Sequence, residues 1–414
     1  MPTNPNITVY GAYWCPDCRK SKQFLGEHQI PYNWVDIEED KKGEQYVIQK
    51  NDGKRIIPTI EFEDGSILVE PSNAELAAKL GLKTTAERSH YDLIIIGGGP
   101  AGLTTALYTA REGIDTLVIE RAALGGQAAT TQWLDNVPGF SKGISGADFS
   151  HQLRLQAERF GVEFLQAQDV TEVRKEENYQ YVATGDGSKY TAKAVLVATG
   201  SRYKLLNVPG EDKYIGAGIH FCATCDGPFY KGMPVAVIGG GNSATEESVF
   251  LTKFVDKITL LVRGDELTAS KILQDKVLSH PQIDVRFNTE AVEFQGAESK
   301  LKTVVIKDRK NRKVEEIHPA GVFTFIGQRP NTAFLADSGV ETDQWGFIVS
   351  GHSLVHDEPR PKGYESRDPA LLETSVPGIF AAGDVRADST KQVASAAGEG
   401  ATAALLIREY LKNV

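Results

Sequence analysis

The chemistry of this chain starts with its sulfur. All four cysteines sit in two CxxC pairs, Cys15-Pro16-Asp17-Cys18 near the start and Cys222-Ala223-Thr224-Cys225 past the middle. Two intervening residues let a pair cycle between dithiol and disulfide, and the same spacing suits zinc. Context separates the two uses. The first pair follows an apolar run at 7–10 and opens a helical pattern at 17–28. Cys15 is therefore expected at a helix start, where the dipole favours an attacking thiolate. The second pair lies between two glycine-rich turns, a setting foreign to a zinc ribbon, so redox chemistry is expected at both pairs and a metal at neither.

The glycine turns carry the second kind of chemistry. Gly97-Gly98-Gly99-Pro100-Ala101-Gly102 follows an apolar strand and opens a helix. Gly97, Gly99 and Gly102 allow the tight turn, the close approach of a pyrophosphate and close helix packing, with the anion resting on the helix N-terminus beside Pro100 and Ala101. Glu120 ends the next strand, where a carboxylate can accept hydrogen bonds from an adenosine ribose. An apolar strand before Gly383-Asp384 suits a ribityl chain, and together these point to FAD. The turn recurs at Gly239-Gly240-Gly241-Asn242-Ser243-Ala244, and superposing the copies without gaps sets Val262 opposite Glu120, with Arg263 next. The ribose carboxylate is lost there and a guanidinium stands nearby, which favours a 2′-phosphate and hence NADPH, with NADH as the alternative. A surface arginine after an ordinary strand is the plainer account of Arg263.

The elements that must position these residues follow from the same pattern. Residues 7–10, 32–37, 59–62 and 67–69 read as strands and 17–28, 44–50 and 73–80 as helices, a thioredoxin-like alternation. The polar stretch 83–90 reads as a linker. Beyond it the chain repeats one design, strand, glycine turn, helix and second strand, closing in the first copy on Val197-Ala198-Thr199-Gly200. The expected fold is thus α/β, an N-terminal thioredoxin-like domain (1–82) and a linker (83–90) followed by two nested Rossmann-like dinucleotide-binding domains. FAD takes 91–204 and 332–414, and NADPH with the second cysteine pair takes 205–331.

Composition excludes other classes. A net charge of −10 without a long basic cluster argues against nucleic acid. No apolar run approaches the ~20 residues of a membrane span, and the first residues lack the basic and apolar regions of a signal peptide. Cysteines confined to CxxC pairs fit a reducing compartment, so a cytoplasmic protein is expected.

Residues 91–414 resemble the bacterial low-molecular-weight thioredoxin reductases nearly end to end. The resemblance is carried by Gly125-Gly126-Gln127, Cys222-Ala223-Thr224-Cys225-Asp226-Gly227, Ile326-Gly327 with Pro330-Asn331, and Ala381-Ala382-Gly383-Asp384 with Gln392-Val393-Ala394. It implies a homodimer in which Cys225 lies against the flavin, Cys222 attacks the partner disulfide and Asp226 acts as acid and base. It adds Gly126, Gln127, Gln392, Val393 and Ala394 to the cofactor set. Residues 6–82 resemble a glutaredoxin of the mycoredoxin and redoxin branches, through Trp14-Cys15-Pro16, Ile57-Pro58-Thr59 and Glu70-Pro71-Ser72-Asn73. There Cys15 would be the nucleophile, Cys18 the resolving thiol and Pro58 a cis-proline.

Departures from both patterns matter. Gly11-Ala12-Tyr13 and Asp64-Gly65-Ser66 lack the basic residue and Gly-Gly pair of glutathione-using glutaredoxins. The family's 2′-phosphate cluster is reduced to Val262-Arg263-Gly264, with Thr268 where a later arginine is usual, and 351–368 looks inserted. His220 reads as a packed or solvent-linked histidine or as a modulator of the nearby thiols. Tyr13 and Trp14 read as a docking rim or as half-buried aromatics.

The expected activity is an NADPH-dependent disulfide reductase, with electrons passing from NADPH to FAD, Cys222/Cys225, Cys15/Cys18 and then protein disulfides of thioredoxin-like proteins or peroxiredoxins, or low-molecular-weight disulfides. Alternatives are a peroxiredoxin-reducing flavoprotein of the alkyl hydroperoxide reductase type, a dithiol oxidase and a non-catalytic flavin-binding regulator.

Overall fold

The computed structural model describes residues 7–28, 30–131, 133–297, 300–355 and 360–414, and of Cys225 the backbone alone. The chain divides into two compact units, one of 1–130, 147–200 and 332–414, the other of 131–146 and 201–331.

The first unit begins with a four-stranded sheet. Thr8–Gly11 pairs in parallel with Asn33–Asp36 and antiparallel with Thr59–Glu61, which pairs antiparallel with Ile67–Val69. Helix Pro16–Glu27 buries Cys18, Ser21, Phe24 and Leu25, a helical spacing that turns one stripe to the core. A second helix, Lys41–Lys50, starts ahead of the expected 44, because the Asp40 carboxylate accepts from Lys42 N at 2.9 Å and fixes the cap there. Helix Asn73–Lys79 opens on a capping box of Ser72 and Glu75.

The stretch read as a linker makes its own contacts with the residues that follow it. Gln166 N donates to Lys83 O at 2.9 Å. Glu163 accepts from Lys83 Nζ at 2.8 Å, from Glu87 N at 2.8 Å and from the Tyr91 hydroxyl at 2.6 Å. Ala123 N donates to Glu27 O at 2.9 Å, and Ala167 packs against the core of the N-terminal sheet.

His90–Ile96 then leads a parallel sheet in the order Glu163–Leu165, Thr116–Ile119, His90–Ile96, Lys189–Val197. Lys189–Val197 continues into an antiparallel meander with Tyr179–Thr184 and Val170–Glu176, and its last residues pair in parallel with Ile379–Ala381. Near-continuous apolar strands are what a parallel sheet covered on both faces requires. Helices Pro100–Arg111 and Val393–Leu411 pack closely, since a Cβ at Gly400 would lie 2.3 Å from Ala101 O. In the apparent insertion, Gly351–Val355 forms a 3-10 turn and Tyr364 is fully buried, its hydroxyl donating to Thr374 O at 2.7 Å. Residues 356–359 of that stretch lie outside the described residues.

The second unit repeats the design. Ile219–His220, Gly321–Thr324, Pro234–Ile238, Lys257–Leu261 and Ile283–Arg286 form an all-parallel sheet in that order. An antiparallel sheet of Thr289–Ala297, Lys300–Asp308 and Val314–Ile317 accompanies it. Among the described residues no helix is long and apolar enough to cross a membrane.

Candidate active site

Two cysteine pairs and two glycine cradles carry the candidate chemistry, and each is built locally. At the first dithiol, Cys15 caps helix Pro16–Glu27 with extended backbone, and its Sγ accepts from Cys18 N at 3.1 Å. Pro16 follows at a position where its missing N–H costs nothing. Across the sulfur stands the loop at Pro58, whose bond to Ile57 is cis as the resemblance implied; the Cys15 thiol lies 3.7 Å from Ile57 O. Both thiols are free and buried. Burial, followed by the hydrogen bond with Cys15, pushes the Cys18 thiol up to about 12. The pair is asymmetric, with Cys15 at the helix mouth and Cys18 held as a neutral thiol beneath it. Gly11 is required below them, since a Cβ there would lie 2.7 Å from both Cys18 Sγ and the Trp34 ring.

Tyr13 and Trp14 are each 64% exposed, which favours the rim reading over a core role. Lys22 Nζ sits over the Tyr13 and Trp34 rings, 4.8 and 4.1 Å from their centroids. Lys20 is paired with Asp17 at 3.0 Å on the exposed helix surface.

The first cradle fits a dinucleotide. Gly97 has φ +105, and a Cβ there would lie 2.4 Å from Ala198 O, so the turn admits only glycine. A Cβ at Gly102 would lie 2.0 Å from Gly97 O. Gly99 caps helix Pro100–Arg111 with no side-chain cap bond, which leaves the first turn suited to an anion. The Gly125-Gly126-Gln127 turn closes on it, with Gly125 N donating to Gly98 O at 2.7 Å. Glu120 accepts from Gly98 N at 2.7 Å and Ala122 N at 2.9 Å, and burial holds its carboxyl above the usual range despite those bonds. Gly383 lies against Ala101, since a Cβ at Gly383 would stand 3.1 Å from that of Ala101, so the Gly383-Asp384 turn reaches the same helix mouth. Burial also raises Asp384, against the opposing pull of Lys391. Gln392, Val393 and Ala394 form the N-terminus of the last helix. Ala198, Thr199 and Gly200 follow the strand Lys189–Val197.

In the second cradle Gly239 has φ +145, and a Cβ would meet Phe325 O at 2.4 Å. Gly241 caps helix Asn242–Leu251 with no side-chain cap bond, Ser243 is exposed in its first turn, and Ala244 is fully buried. Asn242 Oδ1 accepts from Ser270 N at 2.8 Å. Thr268, in the place of the family's later arginine, donates through N and Oγ1 to Gly240 O at 2.8 and 3.2 Å and braces the turn. Arg263 is exposed, and its carbonyl accepts from Arg309 Nη1 at 3.2 Å. Sequence reading missed Arg309, which arrives from the antiparallel sheet with no local signal.

The second cysteine pair lies in this unit. Cys222 is disulfide-bonded, and Asp226 N donates to Cys222 O at 3.1 Å across one helical turn. The side chain of Cys225 lies outside the described residues. His220 Nε2 hydrogen-bonds the Tyr230 hydroxyl at 2.7 Å, and its Nδ1 faces Asp226 Oδ1 at 3.4 Å. Neither the packed nor the solvent-linked reading anticipated that chain. Among the described residues no group of three or more His, Cys, Asp or Glu gathers to hold a metal ion.

Comparison with known proteins separates the two halves. The pyridine nucleotide-disulphide oxidoreductase model matches residues 91–400, and the glutaredoxin model matches 7–67. Thioredoxin reductase of Treponema pallidum (strain Nichols) is 40% identical over 324 residues, 78% of this chain and 98% of that protein. The chain belongs to the thioredoxin reductases. The Bacillus subtilis (strain 168) thioredoxin reductase is 38% identical over 329 residues, 80% of this chain and 97% of its own. The crystal structure of thioredoxin reductase from Streptococcus pyogenes MGAS5005 superposes with a TM-score of 0.70 at 37% identity, covering 79% of this chain and 99% of that one. This is thus a thioredoxin reductase with a fused glutaredoxin domain, and FAD and NADPH, the cofactors of the thioredoxin reductases, fit its two cradles.

Proposed function

We propose that this reductase is a self-contained relay, in which Cys222/Cys225 pass electrons to Cys15/Cys18 of the same protein and Cys15 delivers them to external disulfides. When bound, NADPH would supply a hydride and FAD the means of passing two electrons on to a disulfide, chemistry that dithiols, which exchange electrons by sulfur attack, lack. Glu120, Asp384 and the Gly97–Gly102 turn hold the flavin nucleotide, and the Gly239–Ala244 turn with Arg263 holds NADPH and prefers it modestly to NADH. Cys225 takes the electrons first, Cys222 attacks the Cys15–Cys18 disulfide, and Asp226 moves the protons. Residues 205–330 rotate against the flavin unit between the two tasks.

The observation that carries this reading is the polarity of the first dithiol. Cys15 stands at a helix mouth beside the Pro58 loop, and the buried Cys18 is held as a thiol, the arrangement of an attacking and a resolving sulfur. The substrates are disulfides of thioredoxin-like proteins or peroxiredoxins, the protein works as a homodimer in the cytoplasm, and the domains divide as 1–82, 83–90, 91–204, 205–331 and 332–414. Replacing Cys15 with serine tests the relay. Flavin reduction by NADPH should persist while disulfide turnover disappears; turnover at the parental rate would show that the reductase half uses a separate partner.

A further inference from the structure

Asp226, which the relay uses to move protons, faces His220, and His220 faces Tyr230; the relay has used neither of those two. The ring of His220 lies between the Asp226 carboxylate, at 3.4 Å from Nδ1, and the Tyr230 hydroxyl, at 2.7 Å from Nε2, and its side chain is only 10% exposed. Its flank is apolar, with the Phe323 ring centroid 5.4 Å away. Both polar neighbours of the imidazole are therefore accounted for. Tyr230 in turn lines an open groove of about 560 Å³ with Lys300, Lys302 and His318.

The donor arithmetic gives the chain a direction. An ionised carboxylate only accepts, so Asp226 requires the hydrogen on Nδ1, and Nε2 of the neutral ring is then an acceptor. Tyr230 supplies the matching O–H. Burial, followed by the charge of Asp226, pushes its phenol up to about 12, which keeps that hydrogen in place at neutral pH.

We infer that His220 is a positioning residue that carries protons between Asp226 and the groove lined by Tyr230, recharging the acid/base of the second cysteine pair. When Asp226 has given up its proton, the Nδ1–H proton moves to the carboxylate, Nε2 takes the phenolic proton, and the phenol oxygen regains one from water in the groove. Discharge runs in reverse. No electrons move in either direction, and each bond to hydrogen broken is matched by one formed. The inference rests on the proposed role of Asp226.

The test uses the FAD-loaded full chain with NADPH and dithiobis(nitrobenzoate) as the disulfide probe, flavin bleaching by NADPH serving as the control for folding and cofactor loading. His220→Ala should slow disulfide turnover by roughly tenfold to a hundredfold, the range of a lost proton transfer. Added imidazole should recover part of that loss, saturably. His220→Gln keeps an N–H for Asp226 but cannot pass a proton, so it should be as slow as the alanine variant; Tyr230→Phe should also be slow. Parental turnover in His220→Gln, or a slow His220→Ala that imidazole leaves unchanged, would overturn the inference. Asp226→Asn separates the two layers. If it is slow while the His220 variants are fast, only the inference fails; if it turns over at the parental rate, the assigned role of Asp226 falls and takes the inference with it.

Discussion

Gly102→Ala probes the flavin cradle at its tightest point. The added Cβ would lie 2.0 Å from Gly97 O and 3.2 Å from Ile95 Cγ2, both neighbours being held by the sheet. Ordinary contact begins at 3.4 Å, so the glycine turn and the helix must part by about 1.4 Å, the overpacking case for which about 1–3 kcal/mol is typical. If that cost appears as lost flavin binding, FAD affinity falls roughly five- to 150-fold, at about 1.4 kcal/mol per factor of ten. The second cradle supplies an internal comparison, because it already holds Ala244 at the matching position. Ala244→Gly should leave NADPH binding close to that of the parent. The assay is FAD retained per chain after gel filtration, followed by titration of the stripped protein with FAD. A Gly102→Ala chain that binds FAD as tightly as the parent would refute the reasoning.

Two further outcomes follow from the N-terminal half. In the reduced protein, iodoacetamide should label Cys15 well before Cys18, because Cys18 stays a thiol until the pH nears about 12; equal labelling near the ordinary thiol value of about 8.5 would contradict that asymmetry. At Glu163, burial raises the carboxyl, but Lys83, Tyr91 and Glu87 N outweigh it and hold the group below its ordinary value. A lowered folded value means that the strap at 83–90 gains stability above the unfolded carboxylate value of about 4.3 and loses it as the pH falls through the folded value. Hydrogen exchange in 83–90, corrected for intrinsic rate, should therefore rise on acidification and be fast at neutral pH in Glu163→Gln; a flat profile in both would rule the strap out.

Local features were legible in the sequence because their causes are local. The strands before Gly97 and Gly239 announce themselves as apolar runs, and the glycines are dictated by turns that admit no Cβ. Cys15 at a helix start could be read from Pro16 and the periodicity beyond it. What escaped depends on contacts distant in sequence. His220 meets Phe323 because the two-residue strand Ile219–His220 pairs with Gly321–Thr324. Arg309 comes to the Arg263 carbonyl from a hairpin 46 residues on. Glu163 gathers Lys83, Glu87 and Tyr91 from more than 70 residues earlier, so the polar linker is also a strap. Tyr364 is buried within the polar stretch that looks inserted.

Direct passage between the two dithiols is the central claim, and a covalent trap tests it most directly. In a Cys18→Ser, Cys225→Ser chain each pair keeps only its attacking sulfur, so mild oxidation by diamide can join Cys222 to Cys15 and to no other cysteine of the chain. The relay predicts rapid formation of a Cys222–Cys15 disulfide, found by peptide mapping either within one chain or between two. Absence of that crosslink under conditions that oxidise the parental pairs would contradict electron transfer from the reductase half to the glutaredoxin half.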